Sequence, residues 1–257
     1  MKTSKVILAL TALVLAAAML LSACGVKDDS KTTAAGTSSA GEPAMTEEPA
    51  TEEPTTAKPK YSPSDKLIAL TFDDGPRSST TNRVLDLLEQ NGGVATFFLV
   101  GYNIPATAAG IKRAAALGCS IGNHTKDHKI LTKRSADTIK AQVNGVNSLL
   151  RDMGVEPTLF RAPGGAFKGI KDQIGMPLIQ WSIDTEDWKF KDASHKGRSA
   201  EERTADLNRI ADMVFSQAKG GSIVLMHDIY DFTADLCEIV IPGLVERGFK
   251  LVTVDQL

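Results

Sequence analysis

The sequence predicts an α/β domain built on a parallel sheet with helices on both faces. Three observations carry this. Short apolar runs alternate with segments of helical periodicity from residue 61 to the C-terminus. Most runs are apolar at successive positions rather than every second one, the pattern of strands buried on both faces. Polar clusters, including three of the four histidines, stand just past the ends of these runs.

The elements follow in order. Residues 66–72 (KLIALTF) give the first strand, and Val84, Leu87 and Leu88 mark a helix over 82–90. Residues 94–100 (VATFFLV) form a second strand, the Ala-rich 104–117 a helix, and 120–122 a short strand. A long amphipathic helix spans 135–153. Strands at 159–161 and 178–183, a helix at 201–217, a strand at 222–226, a helix at 234–247 and a strand at 250–254 complete the domain.

About seven parallel strands fit either an open doubly wound sheet or a (β/α) barrel. No Gly-x-Gly-x-x-Gly follows the first strand, which removes the usual dinucleotide-binding reading. Asp73-Asp74, His124, Arg161, residues 184–188 and His227-Asp228 all lie at strand ends, where a barrel gathers its chemistry. With seven strands such a barrel is irregular or incomplete.

Composition excludes other classes. The formal net charge is −2, without the basic excess of a nucleic-acid binder. Three cysteines cannot frame a disulfide scaffold, and one of them, Cys24, is near the N-terminus. Cys119 and Cys237 read as small buried residues, with a disulfide between them as the alternative. His195, in a polar stretch, reads as solvated loop.

The N-terminus has the form of an address. Lys2 and Lys5 precede an apolar run over 6–21, short for a spanning helix and suited to an export signal. Its end, Leu21-Ser22-Ala23-Cys24-Gly25, resembles the cleavage site of bacterial lipoproteins, in which the chain is cut before a Cys that is diacylated; a simple secretory signal or an uncleaved anchor is the alternative. The expected division is a signal peptide over 1–23, lipidated Cys24 and a spacer over 24–60, and a catalytic domain over 61–257. The Thr-, Glu- and Pro-rich spacer has no aromatic residue and too little apolar surface to offset its ordering entropy. This organisation implies an extracytoplasmic, membrane-anchored domain able to reach cell-wall material.

Chemistry collects in two clusters. His124 and His128 have an i, i+4 spacing, which on a helix puts both imidazoles on one face; alone, such a pair is more often a chance pair or a solvated face. It is expected to open a helix after the strand ending at 122. Asp73-Asp74 ends an apolar strand, where buried acids need a cation or donors; an acidic turn capping the next helix is the alternative. Alternation along a strand gives the two carboxylates different directions and hence different roles. Two His and one carboxylate leave an open position on Zn²⁺.

These residues carry a resemblance. Thr71-Phe72-Asp73-Asp74-Gly75-Pro76 resembles the first motif of the polysaccharide deacetylases, the NodB-homology domains of carbohydrate esterase family 4. His124-Thr125-x-x-His128 resembles the second, Arg161-Ala162-Pro163-Gly164-Gly165 the third, Asp184-Thr185-Glu186-Asp187-Trp188 the fourth and Leu225-Met226-His227-Asp228 the fifth, in family order. The resemblance implies a distorted (β/α) barrel that hydrolyses N-acetyl groups on polymeric sugars with one divalent metal ion, Zn²⁺ or Co²⁺. It assigns Asp74, His124 and His128 to the metal, Asp73 to the base and Arg161 to holding that base. It assigns His227 to the general acid, Asp187 to orienting it, and Trp188 and Leu225 to a pocket for the acetyl methyl. The third motif usually has Tyr where this chain has Gly164, whose backbone N–H would help hold the oxyanion. The expected substrate is cell-wall polysaccharide, above all peptidoglycan N-acetylglucosamine. O-deacetylation of xylan and an inactive wall-binding lipoprotein are the alternatives. No nucleic-acid or protein partner is implied.

Overall fold

The computed structural model describes residues 61–257 apart from 63 and 192–197. The signal, Cys24, the spacer and His195 lie outside the described residues.

The seven strands are β1 (Lys66–Asp73), β2 (Thr96–Leu99), β3 (Ser120–Asn123), β4 (Leu159–Phe160), β5 (Ile183–Asp184), β6 (Ser222–His227) and β7 (Phe249–Val252). All pair in parallel, in the order β4-β3-β2-β1-β6-β5. β1 is central: β6 runs along one edge, while β7 meets residues 66–69 and β2 residues 71–73 on the other. Its side chains from Ile68 to Asp73 are all buried, as the unbroken apolar run predicts.

The sheet closes through one broken strand. The predicted strand over 178–183 is regular only at its end, as β5. Its beginning pairs with β4 instead, through Phe160 N–H to Pro177 O and Ile179 N–H to Phe160 O, both 2.9 Å. One segment thus holds both sheet edges. This is the irregularity expected of a seven-stranded barrel.

The helices are α1 (Ser78–Gln90), α2 (Ala108–Ala116), α3 (Ala136–Arg151), α4 (Lys171–Ile174), α5 (Ala200–Gln217) and α6 (Asp231–Glu246). α1 buries Val84, Leu85 and Leu88, each contributing about 1.5–3 kcal/mol of transfer free energy. Ser135 caps α3 by accepting the Thr138 N–H, and Ser199 with Glu202 forms a capping box on α5. α6 packs against both α1 and α5. No helix among the described residues is long and apolar enough to cross a membrane.

Two expectations change. The helix expected over 104–117 is reduced to α2 after two 3₁₀ turns, because Pro105 supplies no N–H to continue an earlier helix. His124 and His128 do not open a helix: they lie in a loop where Thr125 (φ 70°) and His128 (φ 52°) adopt left-handed conformations, and α3 begins only at Ala136. Cys119 and Cys237 are free and buried, as read from the sequence, and the alternative disulfide is not formed. Burial pushes the Cys119 thiol up to about 11, so it is no nucleophile at neutral pH.

Candidate active site

Loops after five strands meet above the C-terminal end of the barrel. They enclose a cavity of about 380 Å³ lined by Asp73, Asp74, His124, His128, Gly164, Trp188, Leu225 and His227. The structure therefore brings together every predicted site residue among those described, with Arg161 and Asp187 directly behind the wall. Trp181, Asp184, Lys191 and Tyr230 also line the cavity, and sequence reasoning gave them no individual role.

Both carboxylates reach this cavity because the chain leaves strand geometry at Asp74, whose φ is 70°. Aspartate tolerates that conformation better than most residues. Alternation along β1 would have sent the two side chains apart; the left-handed turn re-aims Asp74. Gly75 follows because nothing larger fits: a Cβ there would stand 2.2 Å from Asp228 Oδ1.

Asp74 Oδ1 lies 3.0 Å from His128 Nε2 and 3.4 Å from His124 Nε2, and the three potential ligand atoms fall within 4.8 Å of one another. His124 Nδ1 is 2.7 Å from the Arg161 carbonyl, which can only accept, so that nitrogen carries the proton and Nε2 turns its lone pair inward. Asp74 Oδ1 is shut off from solvent and has no hydrogen-bond donor. A buried anionic oxygen without a donor, faced by imidazole nitrogens, fits a divalent cation. In the metal-free protein burial would raise the Asp74 carboxyl, but the two imidazoles, when protonated, prevail and hold it well below the usual carboxylate range.

Asp73 is fixed from behind. Its Oδ1 accepts a hydrogen bond from Arg161 Nη1 at 2.8 Å, and Oδ2 is 3.7 Å from His124 Nε2. Arg161 is wholly buried and fully engaged: Nη1 also meets Thr71 Oγ1 (2.7 Å), Nη2 meets Gln180 O (3.2 Å), and the guanidinium lies 4.3 Å from the Phe98 ring centroid. A buried pair of this kind holds geometry well, while loss of one partner leaves an uncompensated charge.

Across the cavity, His227 Nδ1 is 2.8 Å from Asp187 Oδ1, and the His227 main-chain N–H donates to Oδ2 at 2.7 Å. Thr233 Oγ1 on α6 and the Trp188 N–H complete the shell around the Asp187 carboxylate, at 2.6 and 3.0 Å. Burial disfavours a charged imidazole, but the Asp187 hydrogen bond and the fields of Asp187, Asp73 and Asp74 outweigh it. They carry His227 up to about 9. Thr233 had no sequence signal, since nothing in the chain pattern places one threonine of α6 against motif four.

Gly164 lines the cavity at φ 60°, and a Cβ built there would meet nothing within 4 Å. Asp228 is wholly buried beneath the loops; its carboxylate accepts from Thr81 Oγ1 and its carbonyl from Thr80 Oγ1. Burial raises that carboxyl to about 7.

A carboxylate held by an arginine, an imidazole held by a carboxylate, and three side chains able to ligate one cation surround one cavity, a set that suits metal-dependent hydrolysis. Comparison with known proteins agrees. Residues 60–175 match the model of the polysaccharide deacetylase family. The chain is 38% identical over 196 residues to a peptidoglycan-N-acetylglucosamine deacetylase, PgdA, of Listeria monocytogenes, covering 76% of this chain and 39% of that protein. The chain thus spans about two fifths of the length of the first curated relatives it matches. A peptidoglycan-N-acetylglucosamine deacetylase of Bacillus cereus is 32% identical over 76% of this chain and 89% of its own length. The solved structure of peptidoglycan deacetylase PdaC from Bacillus subtilis superposes with a TM-score of 0.67 at 35% identity, over 76% of this chain and 91% of that one. Five motifs in order, the barrel they decorate and these likenesses agree: the chain belongs to the polysaccharide deacetylase family.

Proposed function

We propose that this protein removes N-acetyl groups from cell-wall polysaccharide, with peptidoglycan N-acetylglucosamine as the substrate, releasing acetate. The observation that carries this is the opposition, across one cavity, of an Arg161-held carboxylate and an Asp187-held imidazole beside the Asp74, His124 and His128 cluster. Those three residues would hold one divalent cation, Zn²⁺ or Co²⁺. Such an ion, when bound, polarises the acetyl carbonyl and makes water a better nucleophile near neutral pH.

The side chains of this chain supply the proton transfers. Asp73, fixed by Arg161, takes the proton of the attacking water. His227, with Nδ1 engaged by Asp187, presents Nε2 to the nitrogen that must be protonated before it can depart. The Gly164 N–H offers a donor to the developing oxyanion, and Trp188 with Leu225 bounds the space for the acetyl methyl. Cys24 anchors the mature chain to the membrane, and the spacer after it carries the domain toward the wall.

The test supplies purified protein and Zn²⁺ or Co²⁺ with peptidoglycan, chitin oligomers and acetylated xylan, measuring acetate and newly exposed amines. Acetate with matching amine from the first two supports the proposal. Acetate from xylan alone would replace it with O-deacetylation, and none from any polymer would make the protein a wall-binding module. For the anchor, Cys24→Ala should leave the membrane fraction; equal detergent partitioning of mature mutant and wild type would refute it.

A further inference from the structure

The loop that carries His124 and His128 holds two left-handed residues that are not glycine, Thr125 at φ 70° and His128 at φ 52°. Such conformations persist only where the surroundings over-determine them. For Thr125 the support is local, since its N–H donates to Asn123 Oδ1 at 2.8 Å. For His128 it comes through the two residues before it.

The buried face of α3 carries Gln142, 7% exposed, among Ile139, Val143 and Val146, where the helical pattern calls for an apolar side chain. A buried amide needs partners at both ends, and Asp127 provides both. The Asp127 N–H donates to Gln142 Oε1 and Gln142 Nε2 donates to Asp127 Oδ2, each at 3.0 Å. A main-chain N–H can only donate, so this pairing also settles which way the amide faces. The Gln142 carbonyl accepts the Lys126 N–H, again at 3.0 Å. From the opposite side, the Gly101 and Tyr102 N–H groups donate to Thr125 O and Lys126 O, both at 3.1 Å. The same turn reaches the third ligand, since Asn103 Nδ2 donates to Asp74 O at 2.9 Å. The packing is close on both sides: a Cβ on Gly145 of α3 would stand 2.8 Å from Lys126 Cδ, and one on Gly101 3.0 Å from Lys126 Cα.

We propose that Gln142 is a positioning residue for the cation site: by bracketing Asp127 it fixes where His128 presents Nε2. The proposal rests on the reading of Asp74, His124 and His128 as ligands of one divalent cation. Its effect is preorganisation. A loop that samples other conformations binds the ion with an affinity reduced by the fraction that is competent. Groups that orient a metal ligand typically govern affinity by about 10–100-fold.

The test measures the Zn²⁺ dissociation constant of the full chain by competition with a chromophoric chelator, circular dichroism confirming that each variant is folded. Gln142→Met, similar in size but without the amide, should bind Zn²⁺ about 10–100-fold more weakly. Gln142→Glu should also bind more weakly, because its carboxylate faces that of Asp127. A field effect alone would act the other way, since added negative charge attracts the cation. Adding Asp127→Asn to Gln142→Glu sets a donor against an acceptor again, at the wild-type net charge, and should recover most of the loss. Wild-type affinity in both single variants, or no recovery in the double variant, would overturn the role of Gln142. His128→Ala separates this from the underlying reading: if it binds Zn²⁺ as wild type does, the cation site itself is refuted.

Discussion

The Asp187 carboxylate holds His227 by both its side chain and its main chain, at 2.8 and 2.7 Å, so ring and backbone are clamped by one buried group. The clamp fixes which nitrogen faces the cavity and raises the affinity of the ring for its proton. In the metal-free protein His227 titrates near 9; a cation at Asp74 would oppose the two carboxylates that help raise it and bring that value down. As the proposed general acid His227 must be protonated, so activity should fall as pH rises through its pKa. Asp187→Asn should move this basic limb down by more than one pH unit and lower kcat about 10²–10⁴-fold. Thr233→Val, which removes one of the four donors to Asp187, should shift the limb by a smaller amount with KM unchanged. A pH–rate profile identical to wild type in both variants would remove the clamp from the mechanism.

Arg161→Met should be among the most destabilising single changes. It leaves Asp73, only 3% exposed, without its counter-charge, at a cost of about 3–5 kcal/mol. Chemical denaturation at neutral pH reads this directly. A Thr71→Val variant removes a smaller part of the same network and should cost about 1 kcal/mol. A loss under 1 kcal/mol for Arg161→Met would mean that Asp73 finds another partner.

The two histidines should separate in their effects. His128 is 42% exposed in its side chain and His124 only 2%, though both point Nε2 at Asp74. His128→Ala should therefore lose most bound Zn²⁺ by elemental analysis while its unfolding midpoint stays within a few degrees of wild-type apoprotein. His124→Ala should lose the metal and also destabilise the fold by about 1–3 kcal/mol, since it leaves the Arg161 carbonyl without its donor. Full occupancy in both variants would place the ligands elsewhere.

How much of this was legible in the chain depends on how local each feature is. The strands of the sheet were readable because burial on both faces leaves unbroken apolar runs, as in β1 and β6. The break in the 177–184 segment was not, because its two halves choose different partners, β4 and β6, and only the closed sheet decides that. Asp74 and His128 were found by residue type and spacing, but the reason given for each was geometrically wrong. Strand alternation and a helical face were expected, and left-handed turns were found. Thr233, Trp181 and Asn103 act on the site from separate elements, and no spacing rule links them to it.

Asp228 should make the apoprotein less stable as pH rises. Its folded pKa of about 7 lies above the ordinary 3.8, so the folded state binds the proton more tightly than the unfolded chain. The stability it contributes is complete below about pH 4 and is lost progressively up to about pH 7, amounting to at most roughly 4 kcal/mol. Asp228→Asn, similar in size and without a titrating group, should flatten this part of the profile. Denaturation of chelator-treated protein between pH 4 and 8 makes the comparison. An equal pH dependence in mutant and wild type would show that Asp228 does not titrate in this window.

Gly164 is where this chain departs from the family pattern, and its surroundings suggest what the change does. The residue sits at φ 60° on the cavity wall with open space where a side chain would begin. A tyrosine placed there would meet no atom at its Cβ, so its main cost is the left-handed backbone, on the order of 1–2 kcal/mol. Gly164→Ala should show that cost alone. Gly164→Tyr adds a ring to a cavity of about 380 Å³ and narrows its mouth. A linear chitin oligomer should still enter, whereas a glycan bearing peptide stems needs the wider opening. The expected result is therefore a change in relative specificity: kcat/KM for peptidoglycan fragments should fall at least tenfold in Gly164→Tyr relative to chitin oligomers, with Gly164→Ala shifting neither ratio. Strain that merely displaced the Gly164 N–H would lower kcat equally on both substrates and in both variants, because an oxyanion donor acts on the reacting acetyl group whatever the rest of the glycan carries. The ratio between substrates thus separates cleft width from catalytic geometry, and an unchanged ratio in Gly164→Tyr would refute the role of the open wall.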